Sequence, residues 1–204
     1  MSWTTAEVRW FYPGARPERL AAWFARDDPA TDNQLPRVDH YLRLAESDGL
    51  GIKLREGRIE IKQRHTSAPV ALTPEAAGLL ELWRKWGFGL TANAENGAAV
   101  GVDAAWIPVE KRRWVRTYQV ASDGAVEPIL RSLAPVRECS AELTEVLIGR
   151  RAWWTLGFEA AGDEATLTST LKAVARHVLA EMGPHTFALH DSYGYPRWLQ
   201  RLSA

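Results

Sequence analysis

Four basic side chains fall on one face of a predicted β-hairpin. In the segment 51–64, aliphatic residues alternate with charged ones on both sides of a Glu56-Gly57 turn. This pattern predicts a hairpin with one aliphatic and one charged face, because successive side chains of a strand point to opposite sides. Like charges on neighbouring strands repel unless an anion faces them, so the charged face is a candidate surface for a polyanion. Against the single acid Glu60, this face carries four bases: Lys53, Arg55, Lys62 and Arg64.

A later strand candidate adds more positive charge. Lys111, Arg113 and Arg116 lie in or next to the alternating segment 112–120. If this strand and the hairpin line one concavity, arginine would grip phosphate through two parallel hydrogen bonds and lysine would act as a point charge. The alternative is that the charged face is the solvated outer face of a half-buried sheet.

The elements that must position these residues are mostly strands. Alternation predicts further strands over 5–12, 38–44, 141–148 and 153–160. Helical spacing predicts helices over 16–26 and 74–86, a long helix that begins at Asp163 or Thr166 and ends before Gly183, and a short closing helix near Trp198. The apolar stripe of the long helix consists of Leu167, Leu171, Val174, Val178 and Leu179. Many antiparallel strands with few helices indicate an α+β fold around a curved sheet or barrel.

Composition limits the function classes. The chain has 204 residues, with 25 Lys and Arg against 25 Asp and Glu. A net charge of +0 excludes a surface that is basic throughout, which general nucleic-acid binders show. The single cysteine, Cys139, excludes an internal disulfide and favours a reducing compartment. Without a signal-peptide pattern or a run of roughly 18 apolar residues, we expect a cytoplasmic protein of one domain, 1–204, with no membrane partner.

A series of short motifs runs along most of the chain. In order, they are the segments 5–10, 39–41, 52–55, 59–62, 111–113, 142–146 and 157–159, followed by the long helix. The series resembles the CYTH domain, the triphosphate tunnel fold shared by thiamine triphosphatases, inorganic tripolyphosphatases and class IV adenylyl cyclases. In that family the strands carry Glu-x-Glu-x-Lys, Asp-x-Tyr, basic-x-basic, Lys-x-Arg and Glu-x-Glu patterns. The resemblance implies an eight-stranded antiparallel β-barrel that forms a tunnel, with flanking helices.

The resemblance also implies a set of site residues. Glu7 and Glu159 would be the catalytic carboxylates and would hold Mg²⁺ or Mn²⁺, which prefer oxygen ligands. The metal would bridge phosphate oxygens and activate water for attack on a terminal phosphorus. The implied function is a metal-dependent triphosphatase for a small inorganic or organic triphosphate. The residues that would bind the phosphate chain are Arg9, Lys53, Arg55, Lys62, Arg64, Lys111 and Arg113.

Two departures weaken the metal half of this site. Thr5 stands where the family has the first glutamate, and Gly157 stands where it has the first glutamate of the closing pair. Glu60, Glu142 and Glu145 are the acids that would have to compensate. The alternative function is therefore a degenerate barrel that binds an anionic or phosphorylated ligand without chemistry.

Aromatic residues leave two other functions open. The interleaved segment 112–116 could bind single-stranded nucleic acid, although a strand packed on a helix fits it better. Ten tryptophans could form a protein-interaction surface, and the facing of Trp114 and Trp153 would decide whether they select an organic substrate. We expect a small phosphorylated ligand rather than nucleic acid as the partner, and homodimer formation is left open.

Overall fold

Eight antiparallel strands close into a β-barrel in the computed structural model of the chain. The structure describes residues 2–26, 31–45, 47–90, 105–130 and 133–203. The strands are β1 (Ser2–Pro13), β2 (Thr31–Leu42), β3 (Leu50–Arg55), β4 (Arg58–Thr73), β5 (Ala76–Gly89), β6 (Trp106–Val120), β7 (Val126–Ile129), β8 (Arg137–Ile148) and β9 (Arg151–Gly162). The helices are α1 (Glu18–Phe24), α2 (Leu167–Met182) and α3 (Tyr195–Ser203).

The sheet closes through a contact between its two ends. Neighbouring strands follow the order β2-β3-β4-β5-β1-β9-β8-β6, and β6 pairs again with β2. β7 extends the sheet beside the last residues of β6. The predicted α+β fold, a closed antiparallel barrel with flanking helices, is confirmed. Among the described residues, no helix is long and apolar enough to cross a lipid bilayer.

Each barrel strand uses its two faces differently. In β1, the outward side chains of Ala6, Val8 and Trp10 are buried in an apolar core against α2. The inward side chains of Glu7 and Arg9 line a cavity. Because successive side chains point to opposite faces, one strand serves both the core and the cavity.

The outer core holds α1 and α2 against the barrel wall. The predicted apolar stripe of α2 is buried, and Leu171, Val174 and Val178 have no exposed surface. These residues pack in one cluster with barrel residues such as Phe158. Full burial of an aliphatic side chain stabilises the fold by about 1.5–3 kcal/mol, so this core is the main source of stability.

A second apolar core lies inside one end of the barrel. There Trp198 of α3 stacks on Phe11 of β1, with ring centroids 4.8 Å apart, and is fully buried. Tyr41 of β2 and Tyr195 of α3 stack in the same cluster, with centroids 5.5 Å apart. The predicted closing helix is confirmed, and it fills this end of the barrel.

The helix predicted over 74–86 is wrong, because this segment forms β5. Leu79, Leu80 and Trp83 suggest helical spacing, but they lie on opposite faces of a strand. Leu80 packs in the outer core, whereas the neighbouring Glu81 and Trp83 point to the barrel interior and are buried as well. A strand that is buried on both faces loses the simple alternation by which strands are recognised.

Candidate anion-binding site

A cavity of about 340 Å³ lies inside the barrel, next to Tyr195 of α3. Its volume lies at the small end of the range for small-molecule sites. Among the residues that the structure describes, its lining includes four carboxylates, Glu7, Glu60, Glu142 and Glu159. A fifth carboxylate, Asp39, is buried next to the cavity and pairs with Lys111 of the lining. The lining also includes nine basic side chains: Arg9, Arg37, Lys53, Arg55, Arg58, Lys62, Lys85, Lys111 and Arg113. Even without Lys111, whose pKa is lowered by burial, eight cations against five carboxylates give the cavity a surplus of positive charge.

Most of the residues predicted from the sequence meet in this cavity. Their roles in binding or catalysis stay predictions. Arg64 is the exception, because it does not line the cavity. Its Nη1 donates to Glu81 Oε1 at 2.9 Å, and its Nη2 pairs with Asp48. The predicted residues that line the cavity are Glu7, Arg9, Lys53, Arg55, Lys62, Lys111, Arg113 and Glu159.

The predicted hairpin is confirmed as β3 and β4. Glu56 and Gly57 both have positive φ, 49° and 71°, as a two-residue hairpin turn requires. The resulting register sets Lys53 opposite Glu60, and Lys53 Nζ lies 2.8 Å from Glu60 Oε2. Arg55 pairs with the other oxygen of the same carboxylate. Glu60 therefore holds both cationic heads beside the cavity.

Lys85 of β5 bridges the two predicted metal ligands. Its Nζ lies 2.6 Å from Glu7 Oε1 and 2.8 Å from Glu159 Oε1, and Lys62 Nζ lies 3.1 Å from Glu7 Oε2. The register brings Glu7 and Glu159 together, because they are directly opposite each other across β1 and β9. Burial alone would raise the pKa of Glu7, but Lys62 and Lys85 hold it well below its ordinary range. Burial likewise works against the charged form of Lys85, but the two glutamates raise its pKa.

A second charged cluster joins Arg9, Glu142 and Arg113. Arg9 Nη1 lies 2.9 Å from Glu142 Oε1, and Arg113 Nη2 donates to Glu142 Oε2. Thr144 Oγ1 also donates to Glu142 at 2.9 Å. Burial alone would raise the pKa of Glu142, but Arg113 and Arg9 lower it well below its ordinary range.

Gly157 makes room for the Arg9 guanidinium. A Cβ atom at position 157 would lie only 2.5 Å from Arg9 Cζ, closer than real Cβ contacts come. Arg9 Nη1 also donates to Thr155 Oγ1 at 3.1 Å, on the same face of β9. A cationic head therefore occupies the space above the position where the family pattern has a carboxylate.

A third cluster lies between the cavity and the inner core. Lys111 Nζ lies 2.8 Å from Asp39 Oδ2 and donates to Tyr41 Oη at 2.6 Å. Burial lowers the pKa of Lys111 well below its usual range, against the opposite effect of Asp39. The Lys111 ammonium also lies 3.9 Å from the ring centroid of Tyr195. The buried Tyr195 hydroxyl has no hydrogen-bond partner in the part of the chain that the structure describes.

The remaining candidate acids and tryptophans lie partly inside the cavity and partly outside it. Glu60 and Glu142 line the cavity, whereas Glu145 lies outside and pairs with Arg16 at 2.7 Å. Trp114 belongs to the outer core rather than the cavity, and Trp153 packs with the inner core. Of the ten tryptophans, all within described ranges, the most exposed is Trp3 at 46%.

The predicted metal ligands do not fit a resident divalent ion in this arrangement. Both oxygens of Glu7 already bind the ammonium groups of Lys85 and Lys62, and one oxygen of Glu159 binds Lys85. Thr5 supplies a hydroxyl, not a carboxylate, and it donates to Glu7 Oε1 at 3.4 Å. No group of three or more His, Cys, Asp or Glu side chains among the described residues could hold a metal ion.

Sequence reasoning missed Lys85, Arg37 and Arg58. The helix predicted over 74–86 gives no reason to place Lys85, the single lysine of that segment, in the site. The only local signal for the inward face of β5 is the pair of charged residues Glu81 and Lys85, four residues apart on the same side of the strand.

Acid is expected to destabilise the barrel through its paired carboxylates. Glu7, Asp39 and Glu142 have pKa values below the ordinary value of about 4. The unfolded chain therefore takes up protons at a higher pH than the folded chain. The stabilisation is complete above about pH 5 and is lost progressively as the pH falls below 4, towards the lowered native pKa values. Glu142→Gln is expected to remove on the order of 2 kcal/mol of this pH-dependent stability. Melting curves followed by circular dichroism between pH 3 and 7 measure it, and superimposable profiles for both proteins would contradict the assignment.

Comparisons with known proteins found likeness among solved structures. No family model matches the chain, and no curated protein matches it. The PH1819 protein of Pyrococcus horikoshii OT3 aligns with a TM-score of 0.48 and 11% identity, over 97% of this chain and 99% of that one. The capping enzyme triphosphatase of Mimivirus aligns at 0.47 and 10%, over 84% and 87%. A conserved hypothetical protein of Pyrococcus furiosus aligns at 0.42 and 12%, over 95% and 98%.

Proposed function

We propose that the barrel binds a small triphosphate, inorganic or organic, in its central cavity. The observation that carries the proposal is the charge of the cavity of 340 Å³, where nine basic side chains of the lining outnumber five carboxylates in or next to it. A phosphate chain carries several negative charges in line, and a narrow cavity with cations on facing walls complements that shape. Partial exclusion of water inside the barrel strengthens each contact between a cation and a phosphate oxygen.

The paired carboxylates favour binding by fixing the cationic heads. Glu142 holds Arg9 and Arg113 together, and Glu60 holds Lys53 and Arg55. Side chains that are already ordered lose little conformational freedom when the ligand arrives. The clusters are therefore preorganised, and the negative ligand neutralises the basic side chains that the carboxylates leave unpaired in charge.

Two hydrogen-bond donors in the lining await an acceptor. The Tyr195 hydroxyl and the Arg55 Nε are buried and have no hydrogen-bond partner among the described residues. A buried donor without a partner costs about 1–3 kcal/mol, and a phosphate oxygen would recover this cost if either side chain turned towards the cavity. The protonated form of the Tyr195 hydroxyl, the form that donates, is favoured because burial raises its pKa.

Metal-dependent hydrolysis stays a prediction from the sequence. It would use Glu7 and Glu159 with Mg²⁺ or Mn²⁺, and both carboxylates are engaged by Lys85 here. We therefore propose binding as the function, and phosphate release in the presence of either metal tests the further step.

Calorimetric titration with tripolyphosphate tests the proposal. We expect saturable binding at one site per chain, at least tenfold tighter than binding of orthophosphate or sulfate at the same ionic strength, together with a higher Tm. ATP and thiamine triphosphate are titrated in parallel to separate inorganic from organic ligands. The absence of heat and of any Tm shift with all three triphosphates at millimolar concentration would overturn the proposal.

A further inference from the structure

We infer that the ammonium groups of Lys85 and Lys62 take the place of a divalent cation at Glu7 and Glu159, so that the cavity binds its triphosphate without a bound metal ion. The inference rests on the proposed function for its ligand. It concerns a role for β5 that no motif in the sequence indicates.

The charge balance at the pair is that of a bound divalent ion. Glu7 and Glu159 bring two negative charges, and Lys85 and Lys62 bring two positive ones. Lys85 Nζ donates to one oxygen of each glutamate, at 2.6 and 2.8 Å, while Lys62 Nζ takes the second oxygen of Glu7 at 3.1 Å. An ammonium has three donors, so Lys85 keeps one for a further acceptor such as a phosphate oxygen.

The cationic heads are held inside the wall, not free in solvent. The side chains of Lys85 and Lys62 are 16% and 19% exposed, and Glu7 is 8% exposed. The Lys62 ammonium also lies 4.2 Å from the ring centroid of Trp83, which fixes it from the inner side. A divalent ion would have to displace an ordered, partly desolvated ammonium to reach the same oxygens.

The neighbouring positions reinforce this substitution. Thr5 donates a hydrogen bond to Glu7 Oε1 instead of adding a ligand oxygen. At position 157, the absence of a side chain admits the Arg9 guanidinium. The two positions that would supply additional metal ligands, 5 and 157, are therefore occupied by a hydroxyl donor and by the Arg9 guanidinium.

Lys85→Met is the variant that distinguishes a site neutralised by lysine from a site neutralised by a metal ion. It frees Glu7 Oε1 and the carboxylate of Glu159, which then repel phosphate oxygens unless a metal ion neutralises them. Wild-type protein is expected to bind tripolyphosphate in EDTA at least as tightly as at low millimolar free Mg²⁺, because Mg²⁺ complexes the phosphate oxygens of the free ligand. For Lys85→Met we expect affinity in EDTA to fall by about 10- to 100-fold and Mg²⁺ to restore most of it.

Two further variants control this measurement. Arg84→Met removes a cation from the residue of β5 that precedes Lys85 and is exposed on the outer face, and this variant is expected to behave like wild type. Lys85→Arg keeps the charge and is expected to keep the affinity in EDTA within a few fold. A wild-type affinity that rises when Mg²⁺ is added, or a loss in Lys85→Met that Mg²⁺ does not relieve, would overturn the inference. Circular dichroism confirms that each variant is folded.

Mn²⁺ binding without any phosphate tests the inference independently of the ligand. By electron paramagnetic resonance, wild-type protein is expected to leave Mn²⁺ free at 0.1–1 mM, roughly the range of weak exposed sites, and Lys85→Met to gain one bound ion. Wild type that binds Mn²⁺ as tightly as the variant, or a variant that gains no site, would overturn the inference. If triphosphates fail to bind wild type, the proposed function fails, but the Mn²⁺ result still decides the role of Lys85.

Discussion

Exchange of Lys53 and Arg55 together for methionine is expected to weaken tripolyphosphate binding by about 100- to 1,000-fold. Both side chains line the cavity, and both are held there by Glu60. The double variant removes two charge-assisted hydrogen bonds to phosphate. It also leaves the Glu60 carboxylate facing the ligand without a counter-charge, and this repulsion adds to the loss. Calorimetric titration at 150 mM salt measures the change.

A double variant of the outer surface controls for net charge. Arg84 and Arg112 are exposed, each next to a cavity residue in the chain but on the other face of its strand. Arg84→Met with Arg112→Met removes the same two charges, and we expect its affinity to stay within about threefold of wild type, because solvent and salt screen exposed charges. Equal losses in both double variants would mean that binding depends on overall charge, and the cavity would not be the site.

Trp198→Ala is expected to destabilise the protein by about 3–5 kcal/mol, and to lower Tm by roughly 10 °C. The Trp198 ring is fully buried in the inner core, stacked on Phe11 and edge-on to Trp153 and Tyr195. Its removal leaves a cavity between α3 and the barrel, and the strands around it cannot collapse because their pairing fixes their spacing. Urea unfolding at pH 7 measures the change in free energy.

Trp3→Ala is the matched control for this substitution. Trp3 lies on the same strand as Phe11 but is 46% exposed, so its loss is expected to cost less than about 1 kcal/mol. Trp198→Phe keeps an aromatic ring in the core and is expected to recover at least half of the lost stability. A Trp198→Ala variant that unfolds at the wild-type urea concentration would show that α3 contributes nothing to closing the barrel.

The strands that were predicted correctly are those with one clearly polar face. The hairpin of β3 and β4 alternates regularly, because its inner face meets the charged cavity and its outer face is aliphatic. From such strands the sequence predicts both the barrel and most of the cavity lining, including Lys53, Arg55 and Lys62. β1 and β6 follow the same rule, which is why Arg9 and Arg113 could be assigned to the same interior.

The part that could not be predicted depends on contacts between strands distant in the sequence. Lys85 belongs to the site only because β1 lies between β5 and β9, and nothing local to β5 indicates that order. Arg64 continues the alternating pattern of Lys62, yet it lies one step further along the barrel axis, where Glu81 and Asp48 bind it. Alternation assigns a side chain to a face, but not to a depth along the barrel.

Because each strand has one face in the outer core and one in the cavity, substitutions that affect packing fall on different residues from substitutions that affect the ligand. In β1, substitution of Ala6, Val8 or Trp10 alters the packing of the barrel on α2, whereas substitution of Glu7 or Arg9 alters the lining and the ion pairs within it. A buried ion pair as a whole contributes little net stability, although removal of one partner alone is costly, so the outer core supplies most of the stability. The lining can therefore change by whole ion pairs, towards a ligand of another charge or length, while the outer core that keeps the protein folded stays unchanged.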